Sequence, residues 1–197
     1  LLNHFFLSTP PVVAHRNRIT HMTHRLAEEA RRCARAGQRL KVFNLGCGPA
    51  HEIQRYLQED DICDRVDFTL LDFNEQTLEY TSQTLNELKM RNRRTTGIQT
   101  VLKSVHQILK ESGRPTGELR LGGYQMVYCA GLFDYLSDRI CKRLMQVFYE
   151  LLAPGGLLLA TNVEAANPSR NWMEYVTEWH LVYRDCQGFL SLAPEES

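Results

Sequence analysis

The chain has 197 residues, of which 43% are hydrophobic and 23% charged, and its 23 Lys plus Arg balance its 23 Asp plus Glu. A formal net charge of zero excludes an electrostatic grip on nucleic acid or on an anionic membrane surface, because both need a sustained basic excess. No apolar run approaches the roughly 20 residues of a membrane span, and a chain of this size buries about 70% of its unfolded surface in one core without a disulfide or metal staple.

Residues 1–16 read as irregular, with Pro10-Pro11 blocking an early helix. From Asn17 the apolar positions Ile19, Met22, Leu26, Ala30 and Cys33 recur at intervals of three and four, opposite Arg25, Glu28, Glu29, Arg32 and Arg35. That spacing predicts an amphipathic helix ending at Gly37. The period then changes. Residues 40–45 (LKVFNL) form a short apolar run ending in Gly-Cys-Gly, followed by a helical stretch with Ile53, Tyr56 and Leu57 on one side. Residues 66–72 (VDFTLLD) form a second run, and Asn74 is placed to cap a helix bearing Leu78, Leu85 and Leu88. Residues 98–102 make a third strand after a polar loop, and 125–129 a fourth. Ser137 then caps a helix bearing Ile140, Leu144, Val147, Phe148 and Leu151, and the turn Ala153-Pro154-Gly155-Gly156 leads into a fifth strand, 157–163. Apolar strands alternating with helices predict an α/β fold with a mostly parallel sheet covered on both faces. At the C-terminal end, Asn167 caps and Pro168 opens a helix whose Trp172, Tyr175, Val176, Trp179, Val182 and Tyr183 repeat at helical spacing up to Gly188.

The segment Asn44-Leu45-Gly46-Cys47-Gly48-Pro49-Ala50 lies where the first strand passes into a helix. Two glycines there let the backbone turn sharply and let a ligand approach the main chain with no Cβ in the way, although a tight turn alone is the plainer reading. The six-residue dinucleotide fingerprint needs a small residue where His51 stands, which disfavours a pyrophosphate cofactor. Asp72, at the end of the second strand, is positioned to accept hydrogen bonds from both ribose hydroxyls of a nucleoside; its plainer reading is a solvated loop acid.

In order along the chain, VFNLGCGPAHE, LLDFN, VYCAGLFDYLSD and LAPGGLLLATNV resemble the successive motifs of class I S-adenosylmethionine-dependent methyltransferases. GCGPAHE together with NPSRNWMEYVTEWHLVYRD resembles, more narrowly, a bacterial subgroup of extracellular-factor, 3-hydroxypalmitic acid methyl ester biosynthesis proteins. The resemblance implies a Rossmann-like sandwich over residues 38–197, S-adenosyl-L-methionine as cofactor, S-adenosyl-L-homocysteine as product and a small-molecule acceptor. A carboxylic acid such as a hydroxy fatty acid is the favoured acceptor. An amine or phenolic hydroxyl is the alternative, and a non-catalytic cofactor-binding sensor module is the reading from another class. The resemblance also implies that Gly46 and Gly48 lie beneath the methionine part of the cofactor, with Cys47 and Pro49 shaping the loop and Asp72 holding the ribose. Phe73 and Asn74 would border the adenine, and Ser104 and Val105 match its other contacts. Cys129, Ala130 and Gly131 would lie at the methionine carboxylate and sulfonium, with Tyr135 facing the methyl group. The acid common two residues before the first glycine is Asn44 here, so Glu52 is the expected partner of the cofactor ammonium. Of the antiparallel sixth and seventh strands the family carries, only residues 189–192 offer a part. The Asn/Asp-Pro-Pro-aromatic signature of nucleic-acid methylation is replaced after the fourth strand by Cys129-Ala130-Gly131-Leu132.

In methyl transfer the cofactor carries the activated group, and the protein mainly aligns the nucleophile about 3–3.5 Å from the methyl carbon. A carboxylate acceptor needs no base, whereas an amine or hydroxyl usually does. Tyr135 and His180 are the candidates, followed by Glu164 and Glu174, each of which also reads as a solvated or core residue. Trp172, Tyr175, Trp179 and Tyr183 suit a pocket for an acyl chain, a flat ring or a cationic amine, against the plainer reading that they pack on the sheet. Arg170 and Arg184 flank them and suit a substrate carboxylate. His15, Arg16 and Arg18 precede the first helix, and because the family often folds such an extension over the cofactor, residues 1–37 are expected to form a lid with Arg16 toward the substrate. His21 and His24 lie three apart without a third ligand at suitable spacing, so no metal site is expected. Six cysteines without a CxxC pair, and no secretory signal, lead to an expected cytoplasmic location. Leu1 in place of a Met and the abrupt end at Glu195-Glu196-Ser197 suggest a trimmed chain with an additional domain N-terminal to it.

Overall fold

The computed structural model describes residues 8–112 and 121–195; the first seven residues and the Glu196-Ser197 end lie outside them. Helix α1 spans Pro10–Arg35. It begins at Pro10-Pro11, which open the helix and do not block it, because proline in the first helical turn has no N–H to waste and its fixed φ already suits a helix. Met22, Leu26, Ala27, Ala30 and Cys33 are buried along one stripe, as the spacing predicts, and the chain leaves the helix at Gly37 with φ 72°.

Strands β1 (Leu40–Leu45) and β2 (Val66–Asp72) form where the apolar runs predict them. Between them lies α2 (His51–Glu59), and after β2 comes α3 (Glu75–Arg91), capped by the Asn74 side chain, which accepts from the Thr77 N–H at 2.9 Å. β3 (Gly97–Leu102) is followed by a helix that the reading of the sequence omits, α4 (Val105–Glu111). Its signal is a reciprocal cap: Ser104 accepts from the Gln107 N–H, and Gln107 accepts from the Ser104 N–H. β4 (Tyr124–Ala130), α5 (Asp138–Leu151) and β5 (Leu152–Thr161) complete the sheet, and β5 begins at Leu152, ahead of the expected Ala-Pro-Gly-Gly turn, which it takes in as a shift of register against β4.

The strand order is β3-β2-β1-β4-β5, and every pairing is parallel. Successive β1 residues serve opposite faces. Val42 joins the core shared with α1, α2 and α3, whereas Phe43 packs against Tyr124 and Phe148 in the core shared with α5. The order of connection reverses between β1 and β4, which opens a crevice at their carboxyl ends, where doubly wound sheets bind ligands.

The C-terminal region departs from the expectation. Instead of one aromatic helix there are two short ones, α6 (Arg170–Val176) and α7 (Cys186–Leu190). Glu178 adopts a left-handed conformation (φ 52°), and the Trp179 N–H turns back to the Met173 carbonyl at 2.8 Å. The aromatic spacing therefore does not continue as a helix. α6 starts after Ser169, not at Pro168, because the Asn167 side-chain oxygen accepts from the Ser169 N–H. Residues 189–192 do not form a strand: they end α7 and turn, and Phe189 and Leu192 pack into the α5 side of the core. No antiparallel pairing occurs among the described residues.

Candidate active site

The loop after β1 turns on backbone geometry that few side chains tolerate. Gly46 and Gly48 have φ of 70° and 51°, and Ala50, just before α2, is left-handed at 52°. The Gly46 and Cys47 N–H groups both donate to the Leu71 carbonyl, at 2.8 and 3.0 Å, which ties the loop to β2. Asp72 finishes the job: one carboxylate oxygen accepts from the Gly48 N–H and the other from the Asn74 N–H, each at 3.0 Å. Thr81 of α3 donates to the Gly48 carbonyl at 2.7 Å, so β2 and α3 together hold one turn.

A cavity opens above this loop, and α1 closes its far side with His15, Arg18 and Met22. Arg18 reaches across to the end of β4, where a Cβ on Gly131 (φ 98°) would meet its Nη1 at 2.8 Å. Its Nη2 lies 3.0 Å from His15 Nδ1. Burial first, then Arg18 and His51, push the His15 imidazole below its ordinary pKa. Opposite, Glu52 lines the same cavity and accepts from the Tyr128 hydroxyl at 2.7 Å. Asn44, beneath, is 1% exposed and its Oδ1 has no hydrogen-bond partner. The cavity thus offers a guanidinium on one wall, a carboxylate on the other and an unsatisfied acceptor in the floor.

Burial pushes the Glu52 carboxyl above its ordinary pKa, against the Tyr128 hydroxyl, Arg18 and His51, which pull it down. The folded chain therefore holds this proton more tightly than the unfolded chain does. The associated stability is complete below the ordinary glutamate value and is lost as pH rises through the folded one. Replacing Glu52→Gln is expected to flatten that part of the pH dependence, seen as unfolding midpoints in urea that converge with wild type near about pH 4 and exceed it toward about pH 7.

The other expected residues divide clearly. Gly46, Cys47, Gly48, Pro49, Glu52 and Ala130 all line the cavity, and Gly131 stands at its edge against Arg18. Burial pushes the Cys47 thiol up to about 12, so it is a neutral wall. Phe73 is 66% exposed beside the loop, while Asn74 and Ser104 spend their side chains capping α3 and α4. Val105 packs toward the α5 side of the core, and Cys129 is fully buried there, so that only the Cys129 backbone can face a ligand. Arg16 is exposed and does not line the cavity; Arg18 does. Tyr135 and Trp179 come together, Trp179 Nε1 donating to the Tyr135 hydroxyl at 2.9 Å. Tyr175 is 83% exposed, Trp172 is half-buried, and the Tyr183 ring lies 4.5 Å from the Arg170 guanidinium. His180 is exposed and makes no hydrogen bond among the described residues. Arg184 is not available to a substrate, since it is 6% exposed and fully engaged within the fold.

No protein-family model matches the sequence, and no curated protein matches it. Solved structures do match. Magnesium protoporphyrin IX methyltransferase from Synechocystis PCC 6803, with bound SAH, superposes with a TM-score of 0.60 at 11% identity, covering 92% of this chain and 71% of that one. A protein from Bordetella parapertussis described as a "possible exported protein" gives 0.68 at 17% identity, over 95% of this chain and 62% of the other. Geranyl diphosphate C-methyltransferase from Streptomyces coelicolor A3(2), in complex with Mg2+, geranyl-S-thiolodiphosphate and S-adenosyl-L-homocysteine, gives 0.56 at 11% identity, over 84% and 55%. The chain therefore spans little more than half the length of the last two. At these identities the likeness establishes the fold, which is the Rossmann-like sandwich of class I methyltransferases. No helix among the described residues is long and apolar enough to cross a membrane.

Proposed function

We propose that the chain binds S-adenosyl-L-methionine in the crevice between β1 and β4 and catalyses methyl transfer to a small molecule, releasing S-adenosyl-L-homocysteine. The observation that carries this reading is the charge pattern of the cavity: Arg18 and Glu52 both line it above the glycine loop, opposite charges suited to the two ends of a zwitterionic amino acid. Arg18 takes the carboxylate, while Glu52 and the unpartnered Asn44 Oδ1 take the ammonium. Asp72 keeps lone pairs free on both oxygens after accepting two backbone N–H groups, which suits it to the ribose hydroxyls. Phe73, exposed next to it, covers the adenine. The cofactor supplies a methyl group on a sulfonium; the chain holds the two reactants in line and keeps water from the reacting atoms.

The acceptor reading that the motifs support is a carboxylic acid such as a hydroxy fatty acid, its apolar body lying along Tyr135, Tyr175 and Trp179. An amine or phenolic hydroxyl is the competing acceptor, and a specific carboxylate in the fold favours it, as argued below. A balanced net charge supports neither a nucleic-acid substrate nor an acidic surface partner.

Isothermal titration with S-adenosyl-L-methionine tests the cofactor. Wild type is expected to bind, and Gly46→Arg to lose binding at least about 100-fold, since φ 70° strains any residue with a Cβ there and the long side chain competes for the cavity that the loop lines. Absence of heat with wild type would sink both the enzyme and the sensor-module readings. Transfer of tritiated methyl to hydroxy fatty acids, phenols and amines then separates the two.

A further inference from the structure

Asp134 follows Gly131 by one turn of 3-10 helix, Phe133–Tyr135, and is 5% exposed. Its Oδ1 accepts from the Val163 N–H at 2.6 Å, and its backbone carbonyl accepts from the Val182 N–H at 2.7 Å, so two segments beyond β5 fix its position. Its Oδ2 makes no hydrogen bond among the described residues, yet among them it is not a side-chain atom sealed from solvent without a partner. It therefore keeps an opening. Arg18, which rests on Gly131, lies within electrostatic reach of Asp134 but forms no ion pair with it, leaving a gap between the two charges beside the end of β4. Thr161, paired with Ala130 across the sheet, and Tyr183, also within electrostatic reach of Asp134, each carry a buried hydroxyl oxygen without a partner. Asp134 thus stands just past the end of β4, three residues beyond Gly131 and within electrostatic reach of Arg18, which lines the cavity that ends at Ala130.

We propose that Asp134 is the catalytic base of this site and that the acceptor is a hydroxyl or an amine, not a carboxylate. The proposal rests on the cofactor reading above. The acceptor atom forms a bond to the methyl carbon as the carbon–sulfur bond breaks, the bonding pair leaves with sulfur as a neutral thioether, and the acceptor's proton passes to Asp134 Oδ2. A carboxylate acceptor would have no proton to give and would set a second anion against Asp134. The groups facing Asp134 are Arg18 from α1, Arg184 and Tyr183 from the segment before α7, Cys129 from β4 and Cys141 from α5. Burial, the strongest of these influences, raises its carboxyl above the ordinary aspartate range while the Val163 N–H, Arg18 and Arg184 draw it down. Turnover should therefore rise as pH climbs through that raised value and then level off.

The decisive experiment needs no acceptor. Protein labelled with γ-13C aspartate is titrated by NMR once saturated with S-adenosylhomocysteine and once with sinefungin, which carries a cationic amine at the place of the sulfonium; Asp134→Asn identifies the resonance. The Asp134 midpoint is expected to be lower with sinefungin by about one pH unit, because a nearby cation favours the carboxylate. Equal midpoints overturn the proposal, whereas no response of any aspartate to either ligand would overturn the cofactor reading instead. In transfer assays with catechol, tyramine and hexadecanoic acid, label is expected in catechol or tyramine. Asp134→Asn, whose amide oxygen still accepts from Val163, should lower kcat at least about 100-fold with S-adenosylhomocysteine affinity within about twofold. Methylation of hexadecanoic acid undiminished in Asp134→Asn overturns the acceptor class.

Discussion

Replacing Arg184→Met is expected to lower the unfolding free energy by about 3–5 kcal/mol, a fall in Tm of roughly 10 °C or more. The guanidinium is buried and donates at 2.9 Å to the Phe133 carbonyl, at 2.6 Å to the Leu136 carbonyl and at 2.9 Å to Asp138, with a further bond to Asn162. Those carbonyls border the 3-10 turn that carries Asp134 and Tyr135. Methionine fills much of the space but leaves the Phe133 and Leu136 carbonyls without a donor in a dry environment, where each unsatisfied group costs about 1–3 kcal/mol. Lysine keeps the charge and loses the fork, so Arg184→Lys should recover less than half of the deficit. Equilibrium denaturation in urea reads both variants, and a loss of under about 1 kcal/mol for Arg184→Met would place these bonds among the weak surface contacts. The same substitution should loosen the acceptor side of the crevice more than the cofactor side, because the Arg184 side chain bonds to Phe133, Leu136, Asp138 and Asn162 and not to the glycine loop.

Arg184 also illustrates what a sequence can and cannot disclose. Beside an aromatic stripe, an arginine reads as a ligand for a carboxylate; only the return of the chain after Glu178 buries it under the turn following β4. The stripe itself misled for a related reason. Aromatic residues at intervals of three and four satisfy a helix pattern, but nothing in that pattern registers a left-handed residue that ends the helix at Val176. By contrast β1 and β2 were legible to the residue, because a strand buried on both faces must be apolar throughout and is bounded by glycine or a polar turn. The glycine loop was legible because its constraint lies in the backbone. In the sequence Arg18 reads as one of three basic residues with His15 and Arg16, although it stands four residues before Met22 of the buried stripe and so shares that side of the helix. Asp134 had no such signal: its depth comes from Val163 and Val182, far along the chain.

Asp72→Ala is expected to weaken binding of S-adenosylhomocysteine at least about 100-fold, or about 3 kcal/mol. Two effects add. The carboxylate accepts from the Gly48 and Asn74 N–H groups, bonds to a charged acceptor that each contribute about 1.5–3 kcal/mol, and it is 7% exposed, so water replaces it poorly. Without it Gly48 is held only through its carbonyl, by Thr81, and the loop no longer presents a fixed turn to the ligand. The second effect is loss of the free lone pairs assigned to the ribose. Asp72→Asn does not separate them: the amide oxygen keeps one backbone N–H, while the amide nitrogen meets the other, donor against donor, so loop order should fall nearly as far as with alanine. Titration with 5′-methylthioadenosine, which retains the ribose but lacks the amino-acid end, should show the same proportional loss in Asp72→Ala as S-adenosylhomocysteine does. Arg18→Gln should weaken S-adenosylhomocysteine and leave methylthioadenosine unchanged. If Asp72→Ala binds both ligands within about threefold of wild type, neither the strut to Gly48 nor the ribose assignment contributes to binding; if Arg18→Gln weakens both alike, α1 closes the cavity by packing rather than by charge.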